Sequence, residues 1–185
     1  MKKVTVWTRQ NHLVLDSLLK NKRHVAKKEY VCQNEDAMSM ITAYNWLAGQ
    51  LSKRSVKPED ADYPIWISMK KETTTIPSKG TVLLELEIDP QRIMFLNIAK
   101  WGMINNFSYI PLDEEDERSH KKIMEAYGIS DAKAYMSRFY PELKKEIQDS
   151  WIRAFDEEVK ITNDHSYGLI WEINEEDLKA YSSEI

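Results

Sequence analysis

The chain has 185 residues, enough to bury a real core, and 42% hydrophobic with 10% aromatic content is too apolar for a disordered segment. Its 26 basic groups are interspersed with 30 acidic ones for a net charge of −4, and basic clusters are confined to residues 20–28 and the pair Lys70 and Lys71, which disfavours a nucleic-acid partner. A single cysteine, Cys32, excludes an internal disulfide and a cysteine-based zinc site. No window approaches a membrane span, and MKKVTVWTRQ lacks an apolar stretch of signal length, so a cytoplasmic location is expected.

Residues 3–8 alternate and are rich in Val and Thr, the pattern of a first strand. Asn11 is a good N-cap for a helix running to about Asn21, with Leu15, Leu18 and Leu19 on one side. The basic stretch beyond it reads as a solvated helix end and loop. The clearest helix is DAMSMITAYNWLAGQLSKR, where Met40, Tyr44, Leu47 and Leu51 form a stripe and Lys53 and Arg54 suit the C-terminal dipole.

After Pro58, YPIWISM reads as a strand with Pro64 at its start, and TVLLELEID alternates with Val82, Leu84, Leu86 and Ile88 on one face against Glu85 and Glu87. RIMFL is a short apolar run and NIAKWGMINNF a short helix or turn. DEEDERSHKKIMEAYG places acids before lysines and ends at Gly128, the order that complements a helix dipole. Asp131 is expected to cap the next helix, and PELKKEIQDSWIRAFDEE carries Leu143, Ile147, Trp151 and Phe155 every four residues. YGLIWEI is the last expected strand, followed by NEEDLKAYSS as a capped helix or tail. The order contains no regular βαβ alternation and no repeat. It predicts a single α+β domain over 1–185, with a mixed or antiparallel sheet packed by several helices.

The common chemical fingerprints are missing. His12, His24, His120 and His165 have no metal-ligand spacing, and neither a glycine-rich phosphate loop nor a G-x-S-x-G elbow occurs, so no metal is expected. Cys32 sits among acids in YVCQNED, surroundings that raise a thiol pKa and argue against a nucleophile. The conspicuous feature is six tryptophans. Trp46 and Trp151 fall on helical stripes and are expected in the core, whereas Trp7, Trp66 and Trp171 lie in strands, where an exposed indole can stack on a flat ligand.

In order and spacing, VWTRQ, AYNWL, YPIW, LLELEID, Trp101 with a following NN, SW at 150–151 with FD after it, and IWEI resemble an uncharacterised bacterial family, domain of unknown function 3841. The resemblance runs from Trp7 to Ile173 and implies no reaction. Against the family pattern, Asn97, Ala99 and Gly102 stand where acids precede and a histidine follows the tryptophan, and KKETTTIPSKG replaces a charged segment. Acid–base work by those groups would be lost here.

The layout also resembles the three-part site of ADP-ribosyltransferase folds. In that reading Arg9 and Gln10 on the first strand hold NAD, Trp66 and Ser68 on a middle strand pack the nicotinamide, and Glu172 on a late strand is the catalytic carboxylate. Loss of nicotinamide leaves an oxocarbenium-like sugar, which a fixed carboxylate stabilises. This reading requires the first and last strands to share one hollow, with Gln10, Trp66 and Glu172 opening onto it. The alternative is a non-catalytic module that binds a small molecule or a protein through a tryptophan-lined pocket.

Overall fold

The computed structural model describes residues 2–31, 37–161 and 165–183. Cys32 lies outside them. The fold is α+β, and the chain forms two compact units: one comprises Met1–Ala37, Tyr44–Phe95 and Tyr167–Ile185, the other Met38–Ala43 and Leu96–Ser166.

The first unit opens with β1 (Val4–Asn11) and α1 (His12–Asn21). Asn11 ends the strand and starts the helix, since its side chain accepts a hydrogen bond from the Leu13 amide at 2.9 Å. Next come β2 (Arg23–Val25), the short α2 (Lys28–Val31), α3 (Ala37–Leu51) and β3 (Ile65–Ile67). β4 (Thr81–Ile88) is the central strand of a three-stranded sheet in the order β1, β4, β8, where β8 is Leu178–Ser183. Both pairings are antiparallel, with Val6 opposite Leu86 and Leu84 opposite Tyr181. Beyond β5 (Met94–Asn97), β6 (Ser166–Ile170) pairs with β3 and β7 (Glu172–Asn174) with β2, again antiparallel.

The alternation of β4 does what its sequence promises. Val82, Leu84, Leu86 and Ile88 are fully buried with Val6, Leu15, Leu18, Ile65, Ile67, Ile170 and Ile173, while Glu85 and Glu87 on the wet face pair with Lys179 of β8 at 3.0 and 3.5 Å. Gly168 is needed where β6 crosses the core, because a Cβ there would lie 2.7 Å from Ile67 Cγ1 and 2.9 Å from Ile93 Cγ2.

Three stretches differ from expectation. NEEDLKAYSS is neither helix nor tail: a 3₁₀ turn at Glu175–Asp177 leads into β8, an edge strand whose residues from Lys179 to Ser183 are exposed, so it has no apolar face to betray it. YGLIWEI divides at Trp171 into β6 and β7, which join different partners. The basic stretch around Arg23 contains β2, too short to show a period. On α3, Leu47 and Leu51 are fully buried but Met40 is 46% exposed and Trp46 only half-buried, while the Arg54 guanidinium closes the helix end on the Gln50 carbonyl at 2.9 Å. Trp171 is 5% exposed, its indole N–H donating to Ser55 at 2.8 Å, and offers no face for stacking.

The second unit is helical: α4 (Ile98–Asn105), α5 (Glu114–Tyr127), α6 (Asp131–Met136) and α7 (Pro141–Ser150). The acids at the front of α5 include its N-cap: Asp113 accepts from the amides of Glu115 and Asp116, both at 2.9 Å, and Gly128 ends the helix at φ 63°. Asp131 is not a cap. Ser130 holds that position, and Asp131 turns its carboxylate to the Tyr109 amide and His120. After α7 the chain tightens into a 3₁₀ turn over Trp151–Phe155, so the buried spacing shortens from four to three: Ala154, not Phe155, follows Trp151 inward.

Candidate functional site

A cleft of about 660 Å³ lies wholly within the first unit, and its wall begins at the end of β1. Trp7, Thr8, Arg9, Gln10 and Asn11 line it, as do Trp66 and Ser68 at the end of β3. The two strands are tied where they diverge: Trp7 and Ser68 exchange backbone hydrogen bonds of 2.9 and 2.7 Å. Thr8 donates to the Trp66 carbonyl at 2.7 Å and accepts from the Gln10 amide group at 2.7 Å, fixing that side chain in the wall. Arg9 Nε donates to the Thr75 carbonyl at 2.9 Å, and Ser68 donates to the Lys70 carbonyl at 2.7 Å. Four of the five expected site residues are thus brought together.

Aromatic rings arrive from other elements. Trp66 donates its indole N–H to the Tyr44 hydroxyl of α3 at 2.9 Å and meets Tyr167 edge-on, centroids 6.2 Å apart. Tyr44 packs against Tyr63 at 5.1 Å and 44°. Burial pushes the Tyr44 phenol up, partly offset by the Trp66 hydrogen bond, so it stays protonated. His24 and Tyr30 complete the wall, stacked 6.3 Å apart. Tyr167 is anchored through its hydroxyl to the Thr73 carbonyl at 2.6 Å. Seven rings, Trp7 included, with a few polar groups match what a site for a flat small molecule needs.

The expectation that Glu172 opens onto this hollow is corrected by strand register. In the β2–β7 pair, His24 lies opposite Ile173 and Val25 opposite Glu172. Facing residues share a side of a ribbon and neighbours alternate, so Glu172 points away from the face that carries His24 and Ala26 into the cleft. Its carboxylate accepts from Arg23 Nε at 2.6 Å, while the rest of that guanidinium holds Asp60 at 2.7 and 2.9 Å. Those bonds drive the Arg23 pKa up and the Asp60 carboxyl down. The first strand pairs with β4 and β7 with β2, in separate sheets. Among the described residues no Asp or Glu lines the cleft. His24, Tyr30, Tyr44, Tyr63 and Tyr167 were not signalled by the sequence.

The second unit holds a separate polar cluster. His120, 7% exposed, lies between Asp131 at 2.9 Å and Glu146 at 3.1 Å and stacks on Tyr109 with centroids 3.9 Å apart. The far face of Tyr109 meets the Arg153 guanidinium at 5.1 Å, and Asp116 accepts from both Tyr109 and Arg153. Its side chains bond one another and nearby backbone groups, which marks a structural joint between α5, α6 and α7. Burial lowers the imidazole pKa, but the two carboxylates more than offset that and the net direction is upward. For Asp131, burial raises the carboxyl while the His120 and Tyr109 bonds bring it below its ordinary value. Stability from His120 is therefore complete below its ordinary 6.5 and falls as pH rises through the folded value. That from Asp131 is complete above 3.8 and falls on acidification. Urea midpoints measured across pH should peak between those limits, and His120→Gln should flatten the alkaline side.

Among the described residues no cluster of three or more His, Cys, Asp or Glu could hold a metal ion, and no helix is long and apolar enough to cross a membrane. A family model described as domain of unknown function (DUF3841) matches residues 5–179, so the chain belongs to that family. No curated protein and no solved structure matches it.

Proposed function

We propose that this member of the DUF3841 family is a binding protein whose cleft takes a nucleotide: a flat heteroaromatic ring on an anionic, hydroxyl-bearing tail. The observation that carries the reading is the convergence of Trp66, Tyr44, Tyr63 and Tyr167 with Arg9, Gln10 and Ser68 around one hollow. Rings supply stacking faces for a base, worth about 1–3 kcal/mol each. Arg9 and Lys27, both in the lining, favour the phosphate end. About 660 Å³ falls within the range of small-molecule sites and accommodates a molecule as large as NAD. Binding is favoured over ADP-ribosyl transfer because the carboxylate suited to an oxocarbenium-like centre, Glu172, is engaged by Arg23 on the far side of its ribbon.

Titrating the protein with NAD while following tryptophan fluorescence and thermal midpoint should show saturable binding, and Trp66→Ala should weaken it by about tenfold or more. Nicotinamide should not accumulate. No saturation and no thermal shift with NAD would overturn the nucleotide reading; enzymatic release of nicotinamide would turn it from binding to transfer.

A further inference from the structure

Most polar groups of the cleft wall are held by neighbours, and among the described residues His24 is its one imidazole. It is 6% exposed, lies on the cleft side of β2, and has no hydrogen-bond partner among the described residues for either ring nitrogen. An imidazole so placed has a nitrogen lone pair that no neighbouring protein donor occupies, available to a donor in the hollow. Resting on the nucleotide reading above, we infer that His24 is the specificity residue of the cleft, its unprotonated ring nitrogen accepting a hydrogen bond from a ribose hydroxyl or amide N–H of the bound molecule.

The surroundings keep the ring neutral. Across the ribbon stands Ile173; Arg23 and Val25 turn to the other face. α1 sends Leu15 and Leu18 inward and leaves Asp16 and Lys20 exposed. α2 offers the Tyr30 ring. The other titratable or charged groups of the cleft are Arg9, Lys27, Tyr44, Tyr63 and Tyr167. None is a carboxylate, and two are cations. Burial accordingly lowers the His24 pKa from its ordinary 6.5. Acidification through that lowered value removes the acceptor. Affinity is therefore full near pH 7.5 and falls as pH drops through that lowered value, provided the ligand itself does not titrate over that range.

NAD meets that condition, since its pyrophosphate stays ionised and its adenine neutral throughout. The imidazole proton of His24 is followed by NMR and assigned by its loss in His24→Gln, and the affinity of wild type, His24→Phe and His24→Gln for NAD is measured by calorimetry at pH 7.5 and at one pH unit below the midpoint so found. Expected are a fall of about threefold to tenfold on acidification in wild type, a loss of similar size at pH 7.5 in His24→Phe, and no pH dependence in either variant. The ring should titrate below 6.5 in the free protein. Wild type binding NAD equally at both pH values would overturn the role of His24 and leave the nucleotide reading standing. Absence of NAD binding at either pH would overturn both.

Discussion

Truncating Trp151 to alanine is expected to remove about 3–5 kcal/mol of folding stability. The indole has no accessible surface, and its N–H donates to the Ser108 carbonyl at 2.9 Å. It forms one side of an aromatic stack, 5.0 Å from Tyr135 and 6.3 Å from Phe107, which themselves lie 4.5 Å apart. Phe107 is held at φ 54°, a left-handed conformation that a side chain adopts at a cost, and the stack offsets that cost. Alanine would open a cavity, leave the Ser108 carbonyl unsatisfied and release Phe107 at once. Trp151→Phe keeps a ring in the stack and loses the donor, so about 1–3 kcal/mol is expected. Urea denaturation followed by circular dichroism checks both, with the transition slope unchanged. A loss under about 1 kcal/mol for the alanine variant would mean that the helices around Trp151 are not held by this stack.

What the sequence made legible follows from how locally each feature is encoded. β4 and α5 each carry a full period, an alternation in one and a charge gradient closed by Gly128 in the other, and both stand as expected. β2 and β8 carry none: one has three residues, the other is a polar edge that joins β4 through its backbone, with Lys179 beside Glu85 and Glu87. The cleft divides the same way. Arg9, Gln10, Trp66 and Ser68 were visible because bulky polar groups crowd two strand ends, and those ends are bridged. His24, Tyr30, Tyr44, Tyr63 and Tyr167 come from separate elements, and nothing in their local sequence reports that they converge. Glu172 was misplaced because a strand's facing depends on its register with β2, which a one-residue slip reverses and a single sequence does not state.

That register has its own fastening, and removing it is the second large effect. Asp177→Ala is expected to cost about 2–4 kcal/mol, less than breaking a fully buried ion pair because the Arg92 side chain is 31% exposed. Asp177 is 1% exposed and accepts two hydrogen bonds from Arg92, at 2.8 and 2.9 Å. It also accepts from the Asn174 amide at 2.9 Å, closing a capping box over the turn between β7 and β8. Arg92 in turn donates to the Glu172 carbonyl at 3.0 Å, so one carboxylate holds the end of β7 and the guanidinium that supports its start. The alanine change strands the Arg92 charge and frees the turn. Asp177→Asn retains an acceptor for the Asn174 amide but not the charge, so a smaller loss is expected. Because β7 backs His24 through Ile173, Asp177→Ala should also weaken the proposed NAD binding at pH 7.5. Urea midpoints and NAD calorimetry on the two variants check these outcomes. An alanine variant as stable as wild type would show that Arg92 and the turn are held by other contacts.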